Sequence, residues 1–270
     1  MKQIIKEIVK DIRLVAIDLD GTLLDAKSQV SQANSEALRL AQNKGLAICL
    51  ATGKPFAAVW PLVKEFGLSS PQLVLNGGLV LSATGEETIY SHPLERVAVA
   101  SLVKALKDIA IPFVVYQKKR SLAERRYDAI DHLREIGEPE PLYFPTEMLD
   151  EPVYKILTFT NQDQAELEAK LISLCPLGVI ALRTSPFLFE FIPATCGKGV
   201  AIQALAKHLN LERHQIAAIG DSENDLSMLQ EVGLPMAMGN ANPKVKEMAT
   251  IILADHNHSG VAEGLHSLLL

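Results

Sequence analysis

The chain has 270 residues, 48% of them hydrophobic and 21% charged, with a formal net charge of -6, which is enough for a real core in one large or two modest domains. That balance gives no support to a nucleic-acid or membrane-surface partner, which would show a basic face, and leaves room for an anionic small molecule held by local charge. Cys49, Cys175 and Cys196 are few, odd in number and without metal-ligand spacing, which fits a reducing, cytoplasmic compartment better than a disulfide framework.

The N-terminal "MKQIIKEIVKDIR" carries a charge every few residues and no signal-peptide apolar region. Its Ile4, Ile5, Ile8, Val9 and Ile12 fall on one side of a helix, so a short helix packed on the core is expected. Next comes "LVAI" at 14–17, followed by Asp18 and Asp20. "SQANSEALRLAQNKG" predicts a helix capped by Ser31 and stopped at Gly45. "LAICLA" then leads into Thr52, and "LVL" into Asn76; between them Trp60 is expected in the core.

"LVLSATGEETIY" reads as two strands joined around Thr84-Gly85, and a helical stretch follows through Leu106. "PFVVYQ", "VYKILTFT", "VIALRTS" and "FLFEF" are more alternating or aromatic and predict a separate sheet with helices on one side. Pro139, Pro141 and Pro145 mark a loop within it, and the basic run "KKRSLAERR" at 118–126 reads as solvated surface. "GVAIQALAKHLN" at 199–210 is helical, "IAAI" precedes Gly220-Asp221, and "TIIL" occupies 250–253. No apolar run reaches the ~20 residues that span a bilayer.

Short apolar runs alternating with helices predict an α/β fold with a Rossmann-like parallel-sheet core. The expected plan is a discontinuous core of residues 1–83 and 189–270, split by an inserted second domain of α+β character over 84–188. Four predicted strands end in Asp18, Thr52, Asn76 or Asp221, and the carboxyl ends of such strands form the binding crevice. Residues i and i+2 of a strand point the same way, so extended geometry continued past Asp18 would send Asp18 and Asp20 to one crevice.

Asp221 and Asp225 of "GDSEND" add two more acids there. Clustered carboxylates repel and raise one another's pKa; a divalent cation resolves this, and an all-oxygen set favours a hard ion such as Mg²⁺. His256 and His258 read as solvated. The Thr52 hydroxyl and the Lys198 ammonium could each hold a phosphoryl oxygen, with Gly53 and Gly197 letting the backbone approach. A carboxylate can then attack phosphorus, because metal and lysine offset the repulsion between anions.

"DLDGTLL" at 18–24 resembles the DxDGT motif of the haloacid dehalogenase (HAD) superfamily. "ATG" at 51–53 resembles its second motif, Lys198 its third-motif lysine, and "GDSEND" at 220–225 its fourth. "NGG" at 76–78, "AMGNANPKVK" at 237–246 and "GVAEGL" at 260–265 are similar to the Cof-type phosphatase branch. The resemblance implies a HAD-like core in which Asp18 forms an aspartyl-phosphate and Asp20 serves as acid, then base. It implies that Thr52, Gly53, Lys198 and Asn224 bind phosphate. Mg²⁺ would be held by Asp18, the Asp20 carbonyl and Asp221, with Asp225 supporting. Lys54 stands where that branch commonly has Arg, and loses the bidentate fork.

The expected activity is hydrolysis of a small-molecule phosphate ester, a sugar phosphate or a phosphorylated cofactor, with the inserted α+β domain as the cap selecting it. The alternatives are a phosphomutase or phosphotransferase on the same core, and a non-catalytic phosphometabolite sensor. A P-loop is excluded by Ile192 and Gly199 at required positions, and no G-x-G-x-x-G follows the first strand. Asn76 is expected to shape the cap hinge or touch ligand, and Cys196 to be a small residue beside the site.

Overall fold

Alternation of buried strands and amphipathic helices builds the first of two units in this computed structural model, which describes residues 9–143, 145, 149–160, 165–185 and 187–269. The first unit comprises the chain up to Lys54, Val59–Tyr90 and the chain from Gly197; the second comprises Pro55–Ala58 and Ser91–Cys196. Of the expected N-terminal helix, Ile4, Ile5 and Ile8 lie outside the described residues, while Val9 and Ile12 are buried.

In the first unit β1 (Leu14–Ile17) is buried at every position. α1 (Gln32–Asn43) follows, with the Ser31 hydroxyl accepting the Asn34 N–H and a buried face of Asn34, Ala37, Leu38 and Ala41 at helical spacing. Gly45 ends it at φ 87°, a left-handed turn that glycine adopts without strain. β2 (Ala47–Leu50) comes next, then α2 (Phe56–Phe66), whose first residues, Phe56–Ala58, are grouped with the second unit. Val59, Val63 and Phe66 form the buried face of α2. Trp60, one residue further round the helix, is 39% exposed, which overturns its expected place in the core. β3 (Gln72–Val74), β4 (Leu79–Leu81) and β5 (Thr88–Ser91) form a three-stranded sheet.

The second unit contains α3 (Arg96–Asp108), β6 (Phe113–Gln117), β7 (Ser121–Ala123), α4 (Ile130–Glu135), β8 (Leu142–Tyr143), β9 (Val153–Phe159), α5 (Ala165–Ser173), β10 (Val179–Ser185) and β11 (Leu188–Pro193). Its strands form one sheet in the order β10-β11-β9-β6-β7-β8. Phe113, Val115, Ile156, Phe189 and Phe191 from the strands pack with Val99, Leu102 and Leu106 of α3. Alternate residues hold a buried ionic group: Lys155 donates to Glu190 at 2.8 Å and Tyr116 to Glu138 at 2.6 Å. Burial, then the Glu138 charge, pushes the Tyr116 phenol well above its usual value. In the basic run, Arg120 pairs with Asp150 and Glu151, and Arg126 with Asp131 and Glu140.

The chain returns to the first unit through α6 (Lys198–Leu209), β12 (Ile216–Gly220), α7 (Leu226–Gln230), β13 (Leu234–Ala237), α8 (Pro243–Met248), β14 (Ile251–Ile252) and α9 (Gly260–Ser267). The five-stranded sheet runs β14-β13-β12-β1-β2, with every pair parallel. β5 bonds into a first-unit sheet and β11 into the second unit's sheet. The unit boundaries therefore fall a few residues C-terminal of each limit of the 84–188 segment.

At its outer edge β2 is met by side chains. Gln72 accepts the Leu50 N–H at 2.8 Å and donates to the Ile48 oxygen at 3.3 Å and the Ser70 oxygen at 2.7 Å. Ser70 donates to the same Ile48 oxygen. One bridge, Ala51 to Leu73, continues the pairing.

Candidate active site

Parallel pairing of β1 with β12 sets Ile17 beside Ile219, so Asp18 and Asp221 leave the sheet as neighbours. β1 stops at Ile17 because the chain turns: the Leu23 N–H bonds to the Asp18 oxygen at 3.2 Å and the Leu24 N–H to the Leu19 oxygen at 2.9 Å. The extended geometry past Asp18 on which a shared direction of Asp18 and Asp20 depends gives way to a turn at Leu19. Asp18 points into the interior at 5% exposure. The Asp20 carboxylate is 55% exposed and takes an ion pair from Lys54 at 2.6 Å.

Lys198, at the start of α6, is 1% exposed and donates to Asp18 Oδ1 and Asp225 Oδ1, both at 2.6 Å. Burial opposes its charge, but the two carboxylates win and raise the ammonium above its usual value. Asp225 Oδ2 accepts the N–H groups of Asp221 and Ser222 at 3.0 and 3.1 Å, which fixes the turn after β12. Gly220 makes room for it, since a Cβ there would sit 2.6 Å from that of Asp225.

Asp18, Asp221 and Asp225 each offer an oxygen within 4.8 Å of the others. Burial, then the Asp225 charge, raises Asp18 well above the usual carboxylate range. The same two causes bring Asp221 to about 6. Asp20 stands at the edge of this group and adds a smaller push to Asp221. Four carboxylates thus face two ammonium groups, Lys54 and Lys198, and with all four ionised the formal excess of two negative charges is what one divalent cation offsets. An all-oxygen set of this kind fits a hard metal ion.

Beyond β2, Thr52 is buried and its hydroxyl accepts the Lys54 N–H at 3.1 Å. Gly53 lies against Asn76: a Cβ there would sit 2.9 Å from Asn76 Oδ1. Asn76, at φ 54°, is 5% exposed and accepts from Asn224 Nδ2 at 3.4 Å. Asn224 is itself exposed and accepts from the Ser222 hydroxyl at 2.6 Å. The chain therefore links Gly53, Asn76 and Asn224, and separately Asp18, Lys198, Asp225 and Asp221.

Two residues within the quoted motifs, Thr22 of "DLDGTLL" and Asn240 of "AMGNANPKVK", carried no expected role. Thr22 Oγ1 donates to Asp221 Oδ1 at 3.3 Å, and Asn240 Nδ2 to Asp221 Oδ2 at 3.3 Å. The signal for Asn240 was its place just after a short apolar run, at the carboxyl end of β13. His258 pairs with Asp255 on the surface, and the neighbouring His256 Nδ1 is buried without a partner. Cys196 is partly buried.

A family model described as haloacid dehalogenase-like hydrolase matches residues 15–265. A protein of Streptococcus pyogenes serotype M6, provisionally named a phosphatase, is 31% identical over 269 residues, covering 96% of this chain and 99% of its own. Bacillus subtilis YwtE, named 5-amino-6-(5-phospho-D-ribitylamino)uracil phosphatase, is 28% identical, with 96% and 98% covered. The crystal structure of a haloacid dehalogenase-like hydrolase from Bacteroides thetaiotaomicron matches at a TM-score of 0.85 and 28% identity, covering 94% of this chain and 98% of that one.

Proposed function

The chain belongs to the haloacid dehalogenase-like hydrolases and is a phosphatase acting on phosphoric monoesters, and from that premise we propose that it hydrolyses small phosphorylated metabolites with Mg²⁺ through a covalent intermediate on Asp18. The observation that carries this reading is the Lys198 ammonium shared between Asp18 and Asp225 at 2.6 Å each. It orients the nucleophile and puts positive charge where a phosphoryl group arrives.

In the first step an Asp18 carboxylate oxygen attacks phosphorus, the bond to the ester oxygen breaks, and Asp20 gives a proton to the departing alkoxide. In the second, Asp20 takes a proton from water as the water oxygen attacks the aspartyl-phosphate, which releases inorganic phosphate and restores Asp18. Asp20 suits both steps because it is exposed and held by Lys54 rather than locked in the buried group. Thr52, Gly53, Asn224 and Lys198 hold the phosphoryl oxygens. The Asp18 carboxylate, the Asp20 main-chain oxygen and Asp221, supported by Asp225, would bind Mg²⁺, which supplies charge stabilisation for a phosphoryl centre between two anions.

Residues 84–188 serve as the cap that selects the substrate. Sugar phosphates come first; the ribitylaminouracil phosphate in the name of YwtE adds phosphorylated cofactor precursors. Three free cysteines support a cytoplasmic setting. No described helix is long and apolar enough to cross a membrane.

The test is phosphate release from a panel of both classes. Release is expected with Mg²⁺, is lost in EDTA and returns on adding Mg²⁺, and Asp18→Asn lowers kcat by at least about 10³-fold. Full activity after thorough chelation overturns the metal assignment, and near-wild-type activity of Asp18→Asn overturns the nucleophile. An isomerised sugar phosphate in place of free phosphate makes the protein a mutase. Binding of esters without turnover makes it a sensor.

A further inference from the structure

Asn240 joins two parts of the site that are far apart in sequence. Its side-chain nitrogen donates to the Gly21 main-chain oxygen at 2.8 Å and to Asp221 Oδ2 at 3.3 Å, while its Oδ1 accepts the His256 N–H at 3.0 Å. The orientation of the amide follows from its partners. Gly21 O and a carboxylate oxygen only accept, and the His256 N–H only donates, so a reversed amide would lose all three bonds. With Thr22 on Oδ1, each oxygen of Asp221 then has one donor.

Gly21 completes the arrangement. It sits at φ 78°, and a Cβ there would lie 2.5 Å from Asp221 Oδ2. The turn after Asp20 and the Asp221 carboxylate are therefore packed directly together, and Asn240 bonds to both. Neither Gly21 nor Asp221 could shift without breaking a bond to the same amide.

We propose that Asn240 is a positioning residue that holds the Asp221 carboxylate in register with the main chain beside Asp20, and so sets the affinity of the site for its divalent cation. The inference rests on the metal reading above, and its test separates the two. Asn240→Leu keeps the branched side-chain outline while removing the donors to Gly21 and Asp221 and the acceptor for His256; Asn240→Ala removes the bulk as well. Asn240 is exposed, so both variants should fold.

Calorimetric titration with Mg²⁺ alone, without substrate, should give a Kd raised about tenfold or more in both variants. The metal-free Tm should stay within about 2 °C of wild type, and the rise in Tm on adding Mg²⁺ should shrink to match the weaker binding. A wild-type Kd in both variants overturns the inference. So does a lowered metal-free Tm with Kd unchanged, which would make Asn240 a purely structural residue. A wild-type protein that binds no Mg²⁺ overturns the metal reading itself, and this inference with it.

Discussion

Asp221 is held at about 6, against 3.8 for an ordinary aspartate, by burial and by the Asp225 charge. A folded-state pKa above the unfolded value means that the folded protein binds the extra proton. The penalty is absent below about pH 4 and complete above about pH 6, so this group lowers stability as pH rises through that window. Removing it by Asp221→Asn should stabilise the metal-free protein near pH 7 by roughly 2–3 kcal/mol, with little change near pH 4. Thermal melts in EDTA across that range check it, and a difference between variant and wild type that does not grow with pH would refute the account. Mg²⁺ should reverse the order, raising the wild-type Tm and leaving the variant nearly unmoved. The same carboxylate is thus a liability to the empty fold and a gain to the loaded one.

At the level of elements, the start of α6 depends on a glycine from another turn. Gly77 has φ 89°, and a Cβ on it would lie 2.3 Å from the Gly197 main-chain oxygen. Gly67 also has positive φ, 61°, but nothing lies within 4 Å of its missing Cβ. Gly67→Ala should cost about 1–2 kcal/mol for backbone strain alone. Gly77→Ala should cost about 2–4 kcal/mol, because backbone must also move, and it should depress turnover by displacing Lys198. Urea unfolding and phosphate release measure the two effects; equal costs at both glycines would discount the close approach. Much of this level was legible in the sequence. Runs such as 14–17 and 216–219 are apolar at successive positions because both faces of the parallel sheet are covered, and the Ser31 cap and Gly45 stop carry their own chemistry. Trp60 lies outside the core despite its bulk, because Val59, Val63 and Phe66 define the buried face of α2 and Trp60 is off it. The turn at Asp18 was not legible, since it hangs on main-chain bonds from Leu23 and Leu24 that any residues could make. Nor was Asn240, whose partner Gly21 is 219 positions away in sequence.

Over the whole molecule, the single tryptophan offers a selective probe. Trp60 belongs to the first unit, so its fluorescence reports on that unit, whereas circular dichroism follows both. Phe191→Ala, in the core of the second unit, should cost about 3–5 kcal/mol and shift the circular dichroism transition while leaving that of Trp60 nearly in place. Mg²⁺ should do the converse and move the Trp60 transition. Identical shifts by both probes would mean that the two units unfold as one. The amide of Gln72 has a consequence on the same scale. β2 is the last strand of its sheet, and its outer N–H and C=O groups would otherwise offer a second chain a place to add a strand. Gln72 occupies Leu50 N–H and Ile48 O and so closes both to an added strand, a contribution that would register in solubility during refolding and leave the chemistry at Asp18 untouched.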